Sequence, residues 1–346
     1  MVEQPIRIGI VGLGGIVRQR HLPGLRPIPG VQIVAVCNST PESTQRAAQE
    51  YGIERTFARW QDLVAADGVD AVLIGTPPYL HRQVSVAALA AGKHVFCQAR
   101  MAMTAADARL MLAAAERSDR TTMLCPPPQY MRGDRVMRRL IAEGYLGDLY
   151  HLNVRAYGDD YIDANAPLHW RQNGAISGFN TLQVGMLAEV TQRWIGDARR
   201  VVARTFTATP ERPGENGRPQ KVDRPDSITV AADMARGGLG SFLFSGIARQ
   251  AGLNSIELYG SAGTLKYELQ PDRILGARAG EQELREIPIT PQEARAWTVE
   301  ADFIAAVRAG RRDPEPSFAD GVRYMDFTEA IFRAADSGRV VALPLS

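Results

Sequence analysis

Lysine is almost missing from this chain: Lys93, Lys221 and Lys266 are the only three among 40 basic side chains, the rest being arginine. That count nearly excludes a catalytic lysine. Cysteine is scarce too. Cys37, Cys97 and Cys125 share no C-x-x-C spacing and end apolar runs, so they read as buried thiols rather than as a disulfide or metal framework. The five histidines, His21, His81, His94, His151 and His169, show no H-E-x-x-H or similar ligand spacing, and no G-x-S-x-G elbow is present. No window approaches the ~20 apolar residues of a membrane helix, and residues Met1 to Pro5 lack a basic stretch followed by an apolar run. A formal charge of +2 gives no reason to expect nucleic acid or an anionic membrane as partner. The expectation is a soluble, cytoplasmic protein without a metal centre.

What is there is two patterns in succession. The 346 residues suit two domains, divided here as 1–125 and 126–346. Short apolar runs at Ile6–Val11, Val31–Cys37, Ala71–Gly75, His94–Cys97 and Thr121–Cys125 alternate with helical stretches at Glu42–Tyr51, Arg82–Ala91 and Ala105–Arg117. Thr104 and Asp107 have capping-box spacing at the start of the last. Such alternation predicts an α/β fold with a doubly wound parallel sheet. After Pro126-Pro127-Pro128 and a helix near Arg135–Glu143, alternating strands dominate: Val201–Thr207, Ser227–Asp233, Gly240–Phe244, Ser255–Tyr259 and Thr264–Leu269. They predict an α+β domain with a large mixed, mainly antiparallel sheet, closed by helices over Pro291–Ala309 and Ala319–Ser337. The proline-rich stretch Thr209–Pro225 reads as an excursion loop.

Gly12-Leu13-Gly14-Gly15-Ile16-Val17 directly follows the first strand and opens a helix. Gly12 permits a tight turn, Gly14 lets backbone approach a pyrophosphate, and the helix N-terminus attracts its charge. Val17 replaces the usual third small residue, which predicts a slightly wider spacing of helix and strand. At the end of the second strand, where an NAD site presents an acidic residue to the ribose, the chain has Asn38-Ser39-Thr40. Ser39, Thr40 and Arg46 are then candidate donors to a 2'-phosphate, or Asn38 caps the next element or bonds a ribose hydroxyl. Both NADP and NAD stay open.

Gly12-Leu13-Gly14-Gly15-Ile16, Thr76-Pro77-Pro78-Tyr79-Leu80-His81, Ala91-Gly92-Lys93-His94-Val95-Phe96-Cys97 and Glu257-Leu258-Tyr259-Gly260-Ser261-Ala262-Gly263-Thr264-Leu265 together resemble the glucose-fructose oxidoreductase, inositol dehydrogenase and rhizopine-catabolism (Gfo/Idh/MocA) family. The resemblance implies an N-terminal Rossmann domain, a C-terminal mixed sheet with the nicotinamide between them, and homodimers or homotetramers through that sheet. It also implies that Gly12, Gly14, Gly15 and Ile16 cradle the pyrophosphate, Asn38, Ser39 and Thr40 the ribose end, and Thr76, Pro77, His81 and Gln98 the middle of the dinucleotide. His81 reads equally as a helix-start residue facing solvent.

Where the family carries Glu-Lys-Pro, this chain reads Gln98-Ala99-Arg100. The family lysine bonds the reacting oxygen and moves its proton, and Ala99 can do neither. Arg100 cannot serve as a base, because guanidinium stays protonated above pH ~12, but it can hold an anion or developing oxyanion. The family's aspartate and histidine, four residues apart on a helix, align with Gln183 and Leu187, so both titratable groups are absent. The remaining acid–base reservoir is Tyr157, Asp160, Tyr161 and His169, with Arg100 or Arg171 to orient an anionic or polyhydroxylated substrate. The leading expectation is an NAD(P)-dependent oxidoreductase acting on a carbohydrate-like small molecule, a sugar, cyclitol or related hydroxy compound, through a non-standard proton-transfer group. Two alternatives stand beside it: a lyase or glycosidase-like enzyme that retains its nicotinamide without net redox change, and a non-catalytic dinucleotide- or sugar-binding relative.

Overall fold

A computed structural model describes residues 4–125, 131–214 and 216–346. The chain forms two compact units, Met1–Pro126 with Thr298–Val322, and Pro127–Trp297 with Arg323–Ser346. The segment Thr298–Val322 thus belongs with the first unit, although its sequence position puts it with the second. Its apolar face is filled by Phe303, Ile304 and Phe318, all nearly inaccessible, and periodicity gives no sign of which core such a face joins. The change of rhythm at Pro126-Pro127-Pro128 lies outside the described residues.

In the first unit, β1 (Ile6–Val11), β2 (Val31–Cys37), β3 (Arg55–Thr56), β4 (Ala71–Ile74), β5 (His94–Cys97) and β6 (Thr122–Leu124) form a parallel sheet in the order β3-β2-β1-β4-β5-β6. This is the doubly wound order, with its switch point between β1 and β4, where ligands of such sheets bind at the carboxyl ends of the strands. Ile10, Val36, Val72, Ile74 and Val95 have no accessible surface, as strands covered on both faces require. Thr104 caps the helix Ala105–Glu116 by accepting the Asp107 N–H at 3.0 Å, as its spacing predicts.

The second unit carries a nine-stranded sheet. Its strands are β7 (Leu149–Tyr157), β8 (Ala198–Phe206), β11 (Ser227–Met234), β12 (Leu239–Ser245), β13 (Ser255–Gly260), β14 (Gly263–Glu268), β15 (Arg273–Arg278), β16 (Arg285–Ile287) and β17 (Val341–Ala342), in the order β16-β15-β14-β13-β7-β12-β11-β8-β17. Every pair is antiparallel except β7 with β12. One face is buried: Leu152, Val154, Phe242 and Phe244 point inward, and Phe242 meets Phe327 of the helix Phe318–Ser337 at 4.9 Å between ring centroids. On the other face Val202, Phe206, Leu239 and Tyr259 are exposed.

Two expectations change. The helix expected over Pro291–Ala309 is confined to Val299–Arg308. The Thr209–Pro225 excursion contains a separate antiparallel hairpin, β9 (Glu211–Pro213) with β10 (Pro219–Lys221), whose prolines sit at its end pair, where no further ladder bond is needed. Within it Arg212, 2% exposed, donates to the carbonyls of Tyr161 and Asp163. Asp134 fixes two further helices to each other. It accepts from Trp194 Nε1 at 2.8 Å and pairs with Arg193 and Arg295, which ties Asp134–Ala142 to Val184–Ile195.

Candidate functional site

The end of β1 makes a tight turn. Gly12 has φ +88°, and a Cβ there would stand 2.6–2.7 Å from Thr76. Only glycine relieves both constraints. Gly14 and Gly15 are the opposite case, since nothing lies within 4 Å of where their Cβ atoms would be. That open side is what a pyrophosphate approaching backbone needs. Ile16 then enters the helical stretch, which contains a π-helical turn over Val17–His21. Val17 is fully buried, and its room comes from Gly75, where any Cβ would collide with Val17 Cγ2. The expected wider spacing of helix and strand is therefore replaced by a missing side chain at the end of β4.

A cleft of about 630 Å³ lies along this turn, lined by Gly12, Gly14, Asn38, Ser39, Thr76 and Pro77 among others. Asn38 braces the loop: its Oδ1 accepts the Leu13 N–H at 2.7 Å and its Nδ2 donates to Ser43 O at 3.1 Å. Two of its four hydrogen-bonding positions are thus used in the fold. Thr40 is a helix cap, bonded to the Ser43 N–H of Pro41–Tyr51, and it does not line the cleft. Neither does Arg46. The basic groups there are Arg18 and Arg59, with Trp60 and Tyr79 as aromatic walls, and no carboxylate lines it among the described residues. Arg59 was not legible from sequence, because the preceding strand has two residues and no periodicity; a basic residue directly before Trp60 was the only signal. The Thr76 hydroxyl is buried and, among the described residues, has no hydrogen-bond partner. It is an orphan that a ligand in the cleft would satisfy.

His81 neither faces solvent nor lines the cleft. It is fully buried, with Nε2 2.7 Å from Thr76 O and Nδ1 3.0 and 3.1 Å from Arg100 O and Met101 O, so it clamps the exits of β4 and β5 together. Carbonyls at both nitrogens favour a proton on each, but burial outweighs them and pushes the pKa down. The unfolded chain therefore binds a proton first as pH falls. Stability is full above the ordinary histidine pKa of about 6.5 and declines below it by up to about 1.4 kcal/mol per pH unit. Urea unfolding from about pH 7 to pH 5 should show this slope, and His81→Gln should flatten it. An unchanged slope in that variant would place the effect elsewhere.

Gln98 ends β5 with its carboxamide on His21 Nε2 at 3.0 Å, and His21 Nδ1 meets Glu300 Oε1 at 2.6 Å; both His21 and Glu300 are buried. Sequence reading missed this brace, since Glu300 arrives from the returning segment. Arg100 is 5% exposed, and the Ala99–Arg100 peptide is cis.

In the second unit the polar residues separate. Tyr157 is on the sheet face opposite Leu152, Val154 and Ala156, beside Arg155, whose guanidinium lies 5.9 Å from its ring. Strand alternation thus puts it on the open face. Tyr161 is 8% exposed and lies 6.2 Å from the His169 ring. His169 accepts the Arg171 N–H at Nδ1 (3.2 Å), which leaves its neutral-form proton on Nε2. Burial first, and Arg171 second, push its pKa down while Asp160 acts in the other direction. The neutral ring is therefore a hydrogen-bond donor here, with no free lone pair for a base. Asp160 is exposed and is the remaining proton acceptor of the group. Leu182, at φ +47°, precedes the helix Val184–Ile195. Leu187 in that helix is buried, and no acid or base stands at its position.

The sequence matches the family described as "Oxidoreductase family, NAD-binding Rossmann fold" over residues 6–125 and the GFO/IDH/MocA C-terminal domain over residues 135–266. It is 25% identical to the levoglucosan dehydrogenase of Pseudarthrobacter phenanthrenivorans, with 99% of each chain covered. It is 26% identical to the D-apiose dehydrogenase of Paraburkholderia graminis, covering 95% of this chain and 88% of that one. Among solved structures, an oxidoreductase domain protein from Kribbella flavida superposes with a TM-score of 0.87 at 25% identity, covering 99% of this chain and 100% of that one. With a glycine cradle at the switch point of a parallel sheet and a large mixed sheet after it, the chain belongs to the Gfo/Idh/MocA family of oxidoreductases and carries that family's NAD-binding Rossmann domain.

Proposed function

We propose that this protein is an NAD(P)-dependent dehydrogenase of a sugar or cyclitol hydroxyl in which the second unit, not residue 99, supplies the proton-transfer group. The observation that carries the reading is the cradle, where open Gly14 and Gly15 stand beside a cleft holding an unsatisfied Thr76 hydroxyl. Gly12, Gly14 and Thr76 would hold the dinucleotide there. A bound nicotinamide supplies the two-electron acceptor for an alcohol carbon. The absence of a carboxylate in the cleft, with Ser39 and Arg59 present, favours NADP over NAD.

The chain's own residues then have to hold the substrate and take its hydroxyl proton. Asp160 accepts that proton, and His169 donates from Nε2 to a neighbouring oxygen. Sugar-dehydrogenase relatives support the substrate class. The exposed apolar residues on the open sheet face, Val202, Phe206 and Leu239, support self-association through that sheet as a homodimer or homotetramer. No helix among the described residues is long and apolar enough to cross a membrane.

A screen of sugars and cyclitols for nicotinamide reduction tests the reading. Within it, Ala99→Lys is expected to leave the rate essentially unchanged, because the residues aligned with the family's aspartate and histidine, Gln183 and Leu187, do not titrate. A gain of about 100-fold, the scale a positioned base confers, would instead show a weakened lysine site.

A further inference from the structure

Resting on the dehydrogenase reading above, we propose that the substrate carries an anionic group, a carboxylate or a phosphate, and that Arg171 receives it. This unit gives other arginines partners of its own. Arg193 and Arg295 are paired with Asp134, and Arg212 donates to two carbonyls. Arg171 is only partly exposed. Its guanidinium lies 4.3 Å above the Trp170 ring. Among the described residues no carboxylate stands within ion-pair distance of it and no acceptor takes its side-chain N–H groups. A guanidinium has five donors, and those of Arg171 are left for a ligand to take.

A second arginine repeats the pattern. Arg224 lies 5.2 Å from the Phe179 ring and 5.3 Å from the Phe332 ring, and its Nε is buried with no partner among the described residues. The two arise from joined backbone, since Gln172 O accepts the Arg224 N–H at 3.2 Å. Burial lowers the pKa of both guanidinium groups; Asp223 and Asp336 act in the other direction on Arg224, whereas no carboxylate does so on Arg171. Stacking on an aromatic ring keeps the Arg171 fork planar and fixed, which suits bidentate recognition of a carboxylate or phosphate. His169, on which both Arg171 and Asp160 act, offers an Nε2–H donor, and Asp160 an acceptor for hydroxyls, so the arrangement fits a polyhydroxylated acid or a sugar phosphate.

The test is calorimetric titration of the full chain, saturated with NADPH or NADH, with D-glucose, D-glucuronate and D-glucose 6-phosphate. At least one anion should bind about tenfold or more tightly than glucose, as a charge-assisted pair implies. Glucuronate ahead of the phosphate identifies a carboxylate ligand, and the reverse order a phosphate. Arg171→Gln should abolish that preference, and Arg171→Lys, which keeps charge but loses the fork, should retain only part of it. Dinucleotide affinity should be unchanged in both. If Arg171→Gln does not fold, the Lys variant decides. Equal binding of glucose and both anions, binding of none of the three, or an anion preference untouched by either folded variant overturns the inference. Wild-type protein that binds neither dinucleotide fails at an earlier, separate step and sinks the dehydrogenase reading itself.

Discussion

Gly14→Val is expected to weaken dinucleotide binding by about 10- to 100-fold, the loss of one or two charge-assisted backbone contacts to the pyrophosphate. The position makes the test clean. Nothing lies within 4 Å of a Cβ at residue 14, and its φ is not in the left-handed region, so the side chain meets only the space a ligand would fill. Unfolding midpoints should match the parent protein. Gly12→Ala is the contrasting case, because its φ of +88° and the nearby Thr76 backbone make any side chain there a cost to the fold. Calorimetry on both variants separates the roles, and a Gly14→Val protein with unaltered affinity would remove the cradle from the cofactor site.

The second large effect is expected at Asp160. Among the four acid–base candidates of the second unit, Tyr157 is on the open face of the sheet, Tyr161 is buried in the loop that Arg212 pins, and His169 has its ring lone pair on a backbone N–H. Asp160 alone is both exposed and able to take a proton. Asp160→Asn should therefore lower kcat by about 100-fold or more, the usual contribution of a positioned base. Dinucleotide affinity should be unchanged. Tyr157→Phe should leave turnover near the parent value. Full activity in Asp160→Asn, measured with the substrate found in the screen, would transfer the role to another group.

Much of the fold is legible in the sequence because its signals are local. The apolar runs of β1, β2, β4 and β5 and the Thr104 cap state their own structure. Strands such as β3 and β17, with two residues each, carry no periodicity to read. The return of Thr298–Val322 to the first unit is a tertiary fact, and so is Glu300 reaching His21. The site divides in the same way. The glycine turn is visible as a motif, whereas the bracing roles of Asn38, Thr40 and His81 depend on which backbone groups they meet. A residue's type shows what it can bond; only the structure shows which bonds it makes within the fold.

The most direct measurement is a calorimetric titration of nucleotide-stripped protein with NAD+, NADH, NADP+ and NADPH. The account predicts micromolar binding, tighter for the NADP pair, since Arg18, Ser39 and Arg59 line a cleft without a carboxylate. Tighter binding of the NAD pair would reverse the cofactor preference. Binding of none of the four would contradict the central claim, leaving the Rossmann domain as inherited architecture and the non-catalytic reading in its place.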